Sequence, residues 1–79
     1  MDAGKTGALI AALRKEKNLS QAQLAERLGV TNKAVSRWET GRGYPDVELL
    51  PLIARELEVS ISELLEGERT PTPPQGDEQ

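Results

Sequence analysis

The sequence predicts an all-α fold, a compact domain of five helices, and two observations support this. Apolar residues recur at helical spacing from residue 4 to residue 66, and no segment alternates between apolar and polar residues as a strand does. Helix start signals also recur, since Ser20 and Ser60 are each followed three residues later by a glutamine or a glutamate. A chain of 79 residues is enough for one such domain.

The first helix is predicted over residues 4–17. Its apolar face carries Ile10 and Leu13, which we expect in the core, whereas the charged run 14–17 is expected to face solvent. Leu9, beside that face, is expected to be more exposed than its neighbours and is a candidate for a partner surface. Asn18 is suited to end the helix, because asparagine tolerates the left-handed backbone conformation.

The second and third helices are predicted over residues 20–28 and 31–40. Ser20 begins a capping box for the first of them, and Thr31 is the expected N-cap of the second. Gly29 provides the positive φ that a tight turn between them requires.

Two short helices joined by so few residues must cross at a steep angle. Ala25 is small enough to allow a close crossing, and Val35 and Trp38 return from the third helix to the shared core. We therefore interpret Trp38 as a core residue and not as a ligand contact. Gly41 is expected to end the third helix.

The fourth and fifth helices are predicted over residues 46–57 and 60–66. Proline fits only the first turn of a helix, so Pro51 indicates that the regular part of the fourth helix begins near Leu50. A capping box begun by Ser60 opens the fifth helix.

The last segment, residues 68–79, is predicted to be a disordered acidic tail rich in proline and threonine. No apolar residue follows Gly67, so the tail has nothing to pack. We interpret it either as a linker to a further domain or as the end of the chain. Residues 1–67 form the predicted domain.

The composition argues against catalysis and metal binding. The chain has no cysteine and no histidine, so the thiol nucleophile and the commonest general base and zinc ligand are missing. We predict no enzymatic activity, no catalytic residue, no metal and no cofactor. The longest apolar stretch, residues 8–13, is far shorter than the roughly 20 residues of a membrane span. We therefore expect no membrane partner and a cytoplasmic location.

The net charge of −3 is unevenly distributed along the chain. Residues 1–45 carry a net charge of +4 and residues 46–79 a net charge of −7. A phosphate-binding surface needs only local positive potential. The charge therefore permits a nucleic-acid partner without proving one.

Residues 6–66 resemble the phage Cro/repressor-like helix-turn-helix domains, also called the XRE family. The resemblance rests on the segments LRKEKNLSQAQLAERLGVTNKAVSRWETGRGYPD and IARELEVSISELL, which follow the family pattern in order. It implies a five-helix repressor-like fold whose third helix enters the major groove of double-stranded DNA. It also implies a sequence-specific transcriptional regulator, expected to be a repressor, that binds paired half-sites as a homodimer. Family domains of this length often precede an effector or oligomerisation domain.

Base-reading residues are expected on the face of helix 31–40 that is turned away from the core. Asparagine pairs with adenine, arginine and lysine pair with guanine, and a short apolar side chain contacts the thymine methyl group. The expected base-reading residues are Asn32, Lys33, Ala34 and Arg37. Phosphate contacts are expected near the start of helix 20–28 and along the edge of the third helix, from Ser20, Gln21, Ser36, Arg42 and Tyr44. For Gln21, the resemblance implies that its side chain clamps a phosphate and braces the reading helix.

The resemblance further implies a largely buried salt bridge between Arg14 and Glu39, with a structural role. The alternative for this pair is a surface contact that contributes little to stability. An alternative also remains for the whole domain: a protein-interaction module of a regulatory pair, with secondary DNA binding. The acidic fourth and fifth helices would carry that role.

Overall fold

The computed structural model describes residues 2–69, which form five α-helices and one short 3-10 turn. The helices are α1 (Ala3–Glu16), α2 (Gln21–Leu28), α3 (Asn32–Glu39), α4 (Leu50–Leu57) and α5 (Ile61–Glu66), with the 3-10 turn at Val47–Leu49. Residues 2–69 contain no strand, so the predicted all-α, five-helix fold is confirmed. Most of the predicted tail, from residue 70 onward, lies outside the described residues. Within the described part, no helix is long and apolar enough to cross a membrane.

The predicted helix starts are present as hydrogen bonds. The Ser20 and Ser60 hydroxyls each accept a hydrogen bond from the backbone N–H three residues later. In return, the side chains of Gln23 and Glu63 accept from the backbone N–H groups of Ser20 and Ser60. Thr31 caps α3, since its hydroxyl accepts from the Ala34 N–H at 3.1 Å. The sequence analysis missed the cap of α1, where the Asp2 side chain accepts from two backbone N–H groups.

The helix ends follow the predicted backbone conformations in all but one place. Gly29, Gly41 and Asn18 have φ values of 71°, 75° and 58°. Glu58 ends α4 with a φ of 61°, a left-handed position that the sequence did not indicate because it is neither glycine nor asparagine.

The core contains apolar side chains from all five helices. The fully buried ones are Ile10, Leu13, Leu24, Val35, Ile53, Leu57 and Leu64. Trp38 is also buried, as predicted. Leu9 is 9% exposed, more than Ile10 at 0%, but it is still a buried core residue, because α1 packs against α3, α4 and α5. The interpretation of Leu9 as a candidate partner surface was therefore wrong.

Two contacts fix α1 in place. The Thr6 hydroxyl, which is buried, donates to the Leu64 carbonyl oxygen at 2.8 Å and ties α1 to α5. Gly7 lies directly against the end of α3, where any Cβ atom would overlap the carbonyl oxygen of Trp38. Helix α1 thus holds the last turn of α3.

Candidate nucleic-acid interface

Helix α3 is anchored on one side and open on the other. Val35 and Trp38 are buried in the core, whereas Asn32, Lys33 and Arg37 are exposed. The anchor continues through the turn before α3, where the Val30 N–H donates to the Ala25 carbonyl oxygen at 3.0 Å. The outward face of α3 is therefore held rigidly and presents amide, ammonium and guanidinium groups to solvent.

A hydrogen-bonded network around Glu39 connects α3 to α1 and to the start of α2. Arg14 binds Glu39 through two bonds, Nε to Oε2 at 2.7 Å and Nη2 to Oε1 at 3.0 Å. Gln21 Nε2 donates to Glu39 Oε1 at 2.9 Å. Arg14 Nη1 also donates to the Leu19 carbonyl oxygen at 2.7 Å, which binds the loop between α1 and α2.

Both members of this ion pair are shielded from solvent. The side chains of Arg14 and Glu39 are 11% and 6% exposed. The prediction that the whole run 14–17 faces solvent was therefore wrong for Arg14, because the carboxylate of Glu39 draws its guanidinium inward. Burial alone raises the pKa of Glu39, but the bonds from Arg14 and Gln21 and the positive charges of Arg14 and Lys15 together lower it below 4.5.

Arg37 is in contact with the loop that follows α3. Its Nη2 atom donates to the Arg42 carbonyl oxygen at 3.4 Å. Gly43 lies beside the same guanidinium, since a Cβ atom on Gly43 would be 3.1 Å from Arg37 Nη2. The sequence indicated Arg37 as a base-reading residue and the backbone near Gly43 and Tyr44 as a phosphate contact, but nothing in it shows that the Arg37 side chain folds back toward Gly43.

Two surface grooves lie on either side of Arg37. A polar groove of about 430 Å³ is lined by Lys33, Ser36, Arg37, Thr40 and Arg42. A second groove of about 300 Å³ is lined by Val30, Ala34, Arg37, Trp38, Tyr44, Asp46 and Leu49. Most predicted contact residues on α3 and its following loop therefore line one of two adjoining grooves.

Three cations cluster beside α3, where Lys33, Arg37 and Arg42 line the same polar groove. None of them forms an ion pair with any residue in the range 2–69, whereas Lys17, Arg27 and Arg69 pair with Glu58, Glu56 and Glu16. Exposed cations without an ion pair also occur elsewhere, at Lys5, Lys15 and Arg55, so the clustering is what marks this face. Positive charge on this face is thus available to an anionic partner.

The remaining predicted contacts lie near the same face, some with intramolecular bonds. Ser20 uses its hydroxyl oxygen as the cap of α2. Ser36 is half-buried, and its carbonyl oxygen accepts from the Thr40 hydroxyl at 2.9 Å. Tyr44 is 39% exposed and lines the second groove. No group of histidine, cysteine or acidic side chains in residues 2–69 is arranged to hold a metal ion.

Comparison with known proteins identifies similar domains. A family model described as helix-turn-helix matches residues 10–64. The transcriptional activator BcrR of Enterococcus faecalis is 54% identical over 56 residues, which cover 71% of this chain and 28% of BcrR. The transcriptional repressor RstR of the cryptic phage CTXphi in Vibrio cholerae is 42% identical over 55 residues, which cover 70% of this chain and 49% of RstR.

The structure is also similar to a solved repressor–operator complex. The c2 repressor of Salmonella phage P22, bound to a synthetic operator, superposes with a TM-score of 0.76 at 36% identity. The match covers 80% of this chain and 96% of the repressor chain. The chain spans less than half the length of BcrR and RstR, so it corresponds to only part of those relatives.

Proposed function

This chain belongs to the helix-turn-helix family, and on that premise we propose that it is a sequence-specific, duplex-DNA-binding transcriptional regulator. The observation that carries the proposal is the exposed face of α3, where Lys33 and Arg37, together with Arg42 in the following loop, line one polar groove and form no ion pair within residues 2–69. A rigid helix with such a face matches the requirements of major-groove reading. We also propose a cytoplasmic location, because the protein must reach its DNA partner.

Within this proposal, the side chains of α3 divide into two roles. Asn32, Lys33 and Arg37 reach base edges from the exposed face, and Ala34 contacts a thymine methyl group. The residues around this face hold the phosphate backbone; they are Ser20, Gln21, Ser36, Arg42 and Tyr44. Gln21 has a second task, because its bond to Glu39 joins the start of α2 to α3.

We propose that two copies bind DNA together, each with its α3 in one half-site. Paired half-sites one helical turn apart are the arrangement that two-fold related helix-turn-helix domains require. We also propose repression as the outcome where the bound site overlaps a promoter, since bound protein blocks access to it. The named relatives include an activator as well as repressors. A further effector or oligomerisation domain attached to this one fits the larger size of those relatives.

The test is selection of duplexes from a randomised library by residues 1–79, followed by titration of the selected site. We expect a short enriched motif, stronger as an inverted repeat and weakened by added salt. Arg37→Ala should relax the preference at one base pair, whereas Arg55→Ala, an exposed arginine on α4, should leave the preference unchanged. Absence of binding even at low salt would overturn the proposal and direct the search to a protein partner.

A further inference from the structure

We infer that Gly43 is a positioning residue for Arg37, and that the loop 41–44 thereby helps to set base specificity. The inference rests on the proposed function and assigns a new role within it. Gly43 has no side chain, so what it contributes to base reading is exerted through the guanidinium beside it. Two features of the loop, a hydrogen bond and a close approach, support this role.

The hydrogen bond alone is too weak to fix the Arg37 side chain. Its Nη2 atom is 3.4 Å from the Arg42 carbonyl oxygen, at the long end of the range in which such bonds contribute. Both residues are exposed, so water competes for the same groups. A second restraint is therefore needed to hold the guanidinium in one place.

Gly43 allows a second contact, because without a side chain it leaves room for the guanidinium to lie against the loop backbone. A Cβ atom there would lie 3.1 Å from Arg37 Nη2 and 3.9 Å from both Cζ and Nε. Any other residue at position 43 would therefore crowd the end of the Arg37 side chain and displace it by a few tenths of an ångström. Backbone strain does not explain the glycine, because Gly43 does not have a positive φ. The room beside the Arg37 guanidinium is what glycine provides here.

The position of this guanidinium matters because Arg37 separates the two grooves beside α3. Arginine reads guanine through two parallel bonds, so the plane of the guanidinium must be aligned with the base edge. A side chain already held in that orientation loses less rotamer freedom on binding. Displacing it should reduce base discrimination, while the charge available to phosphates stays the same.

The experiment compares Gly43→Ala, Arg37→Ala and the double variant on the selected site and on its single-base variants. We expect Gly43→Ala to reduce discrimination against the wrong bases by about tenfold at the base pair that Arg37→Ala identifies. A loss of this size lies in the lower part of the range for one bidentate contact. The thermal midpoint and the salt dependence of binding should stay at native values. In the Arg37→Ala background, Gly43→Ala should cause no further loss of discrimination.

The possible failures can be told apart. If Arg37→Ala relaxes a base preference and Gly43→Ala does not, the positioning role is overturned while base reading by Arg37 stands. If Arg37→Ala changes no preference, both the base-reading assignment and the positioning role are overturned. NMR relaxation of the arginine Nε–H groups in the DNA-free native chain gives a second readout. The order parameter of the Arg37 side chain should be higher than that of Arg55, and equal order parameters would also overturn the inference.

Discussion

At the scale of single residues, Glu39 joins three helices of the fold. Its two carboxylate oxygens accept bonds from Arg14 on α1 and Gln21 on α2, and it lies at the end of α3. The resemblance implied the pair with Arg14, and the structure shows how Gln21 joins it. Both charges of the pair are nearly inaccessible to solvent, so the weak surface contact considered as the alternative is not what the structure contains.

Removal of the Glu39 carboxylate should strongly destabilise the domain. Glu39→Ala leaves the guanidinium of Arg14 buried without its counter-charge, which typically costs about 3–5 kcal/mol of the free energy of unfolding. Urea denaturation of the variant checks this. Glu16→Ala is the matched control, since it removes an exposed carboxylate from its pair with Arg69 and should cost about 0–1 kcal/mol. Equal losses for the two variants would contradict the buried role.

The same network predicts how stability depends on pH. Because the pKa of Glu39 is lowered in the folded state, its charged form adds stability above its ordinary value of 4.5, and this contribution is lost as the pH falls through the folded value. The stability difference between the native chain and Glu39→Gln should therefore shrink as the pH drops below about 4.5. Thermal melts of both proteins from neutral to acidic pH measure it, and a constant difference would refute the assignment.

At the scale of elements, glycine allows α1 and α3 to lie close together. A Cβ atom on Gly7 would overlap the Trp38 carbonyl oxygen in the last turn of α3. Just beyond that turn, a Cβ atom on Gly41 would lie 3.1 Å from the Cα atom of Gly4 on α1. The sequence did not indicate a role for Gly7, because a glycine within a helix is ambiguous without knowledge of the neighbouring helix. The tertiary packing shows that it permits the close contact between α1 and α3.

A methyl group at Gly7 should separate these two helices. Gly7→Ala would place a Cβ atom into the Trp38 carbonyl oxygen, and the required backbone shift should cost about 1–3 kcal/mol despite the better helix propensity of alanine. Gly4→Ala is the control, because the atom nearest to its Cβ is the end of the Asp2 side chain, at 3.2 Å. Denaturation should show a loss for Gly7→Ala and little change for Gly4→Ala. The reverse order would contradict the packing argument.

At the scale of the whole molecule, cations cluster on one face, beside α3, although the net charge is negative. Away from α3, three ion pairs join the two halves of the sequence: Lys17–Glu58, Arg27–Glu56 and Arg69–Glu16. The cations on α3 and its following loop keep their charge for another partner. A net charge of −3 is therefore compatible with the proposed DNA binding, because the potential is local to one face.

This distribution predicts which cations determine the salt dependence of DNA binding. Arg42→Ala should weaken binding about equally to preferred and non-preferred sequences, and should reduce the slope of log K against log salt concentration by about 1. Lys17→Ala removes a cation that pairs with Glu58, so its slope should stay close to the native one. Anisotropy titrations at several salt concentrations give the slopes. Equal changes in the two variants would place Arg42 outside the phosphate contacts.

Most of the local structure of this protein could be predicted from its sequence. Capping boxes, the turn glycine at Gly29 and the position of Pro51 are short-range signals, and they fixed the starts of α2, α3, α4 and α5. The all-α class and the outward face of α3 followed from the helical spacing of the apolar residues. Such features depend on residues only a few positions apart, so the printed sequence contains all that is needed.

Contacts between residues far apart in the chain became visible when the helices were seen packed together. The burial of Leu9, the fit of Gly7 against Trp38 and the closeness of Gly43 to the Arg37 guanidinium all depend on where another element lies. Helical periodicity gives the direction in which a side chain points from the axis of its helix. It does not say which other element covers that face of the helix, or how close that element lies. These contacts are set when the helices pack and their apolar faces leave water together, which is a property of the whole molecule.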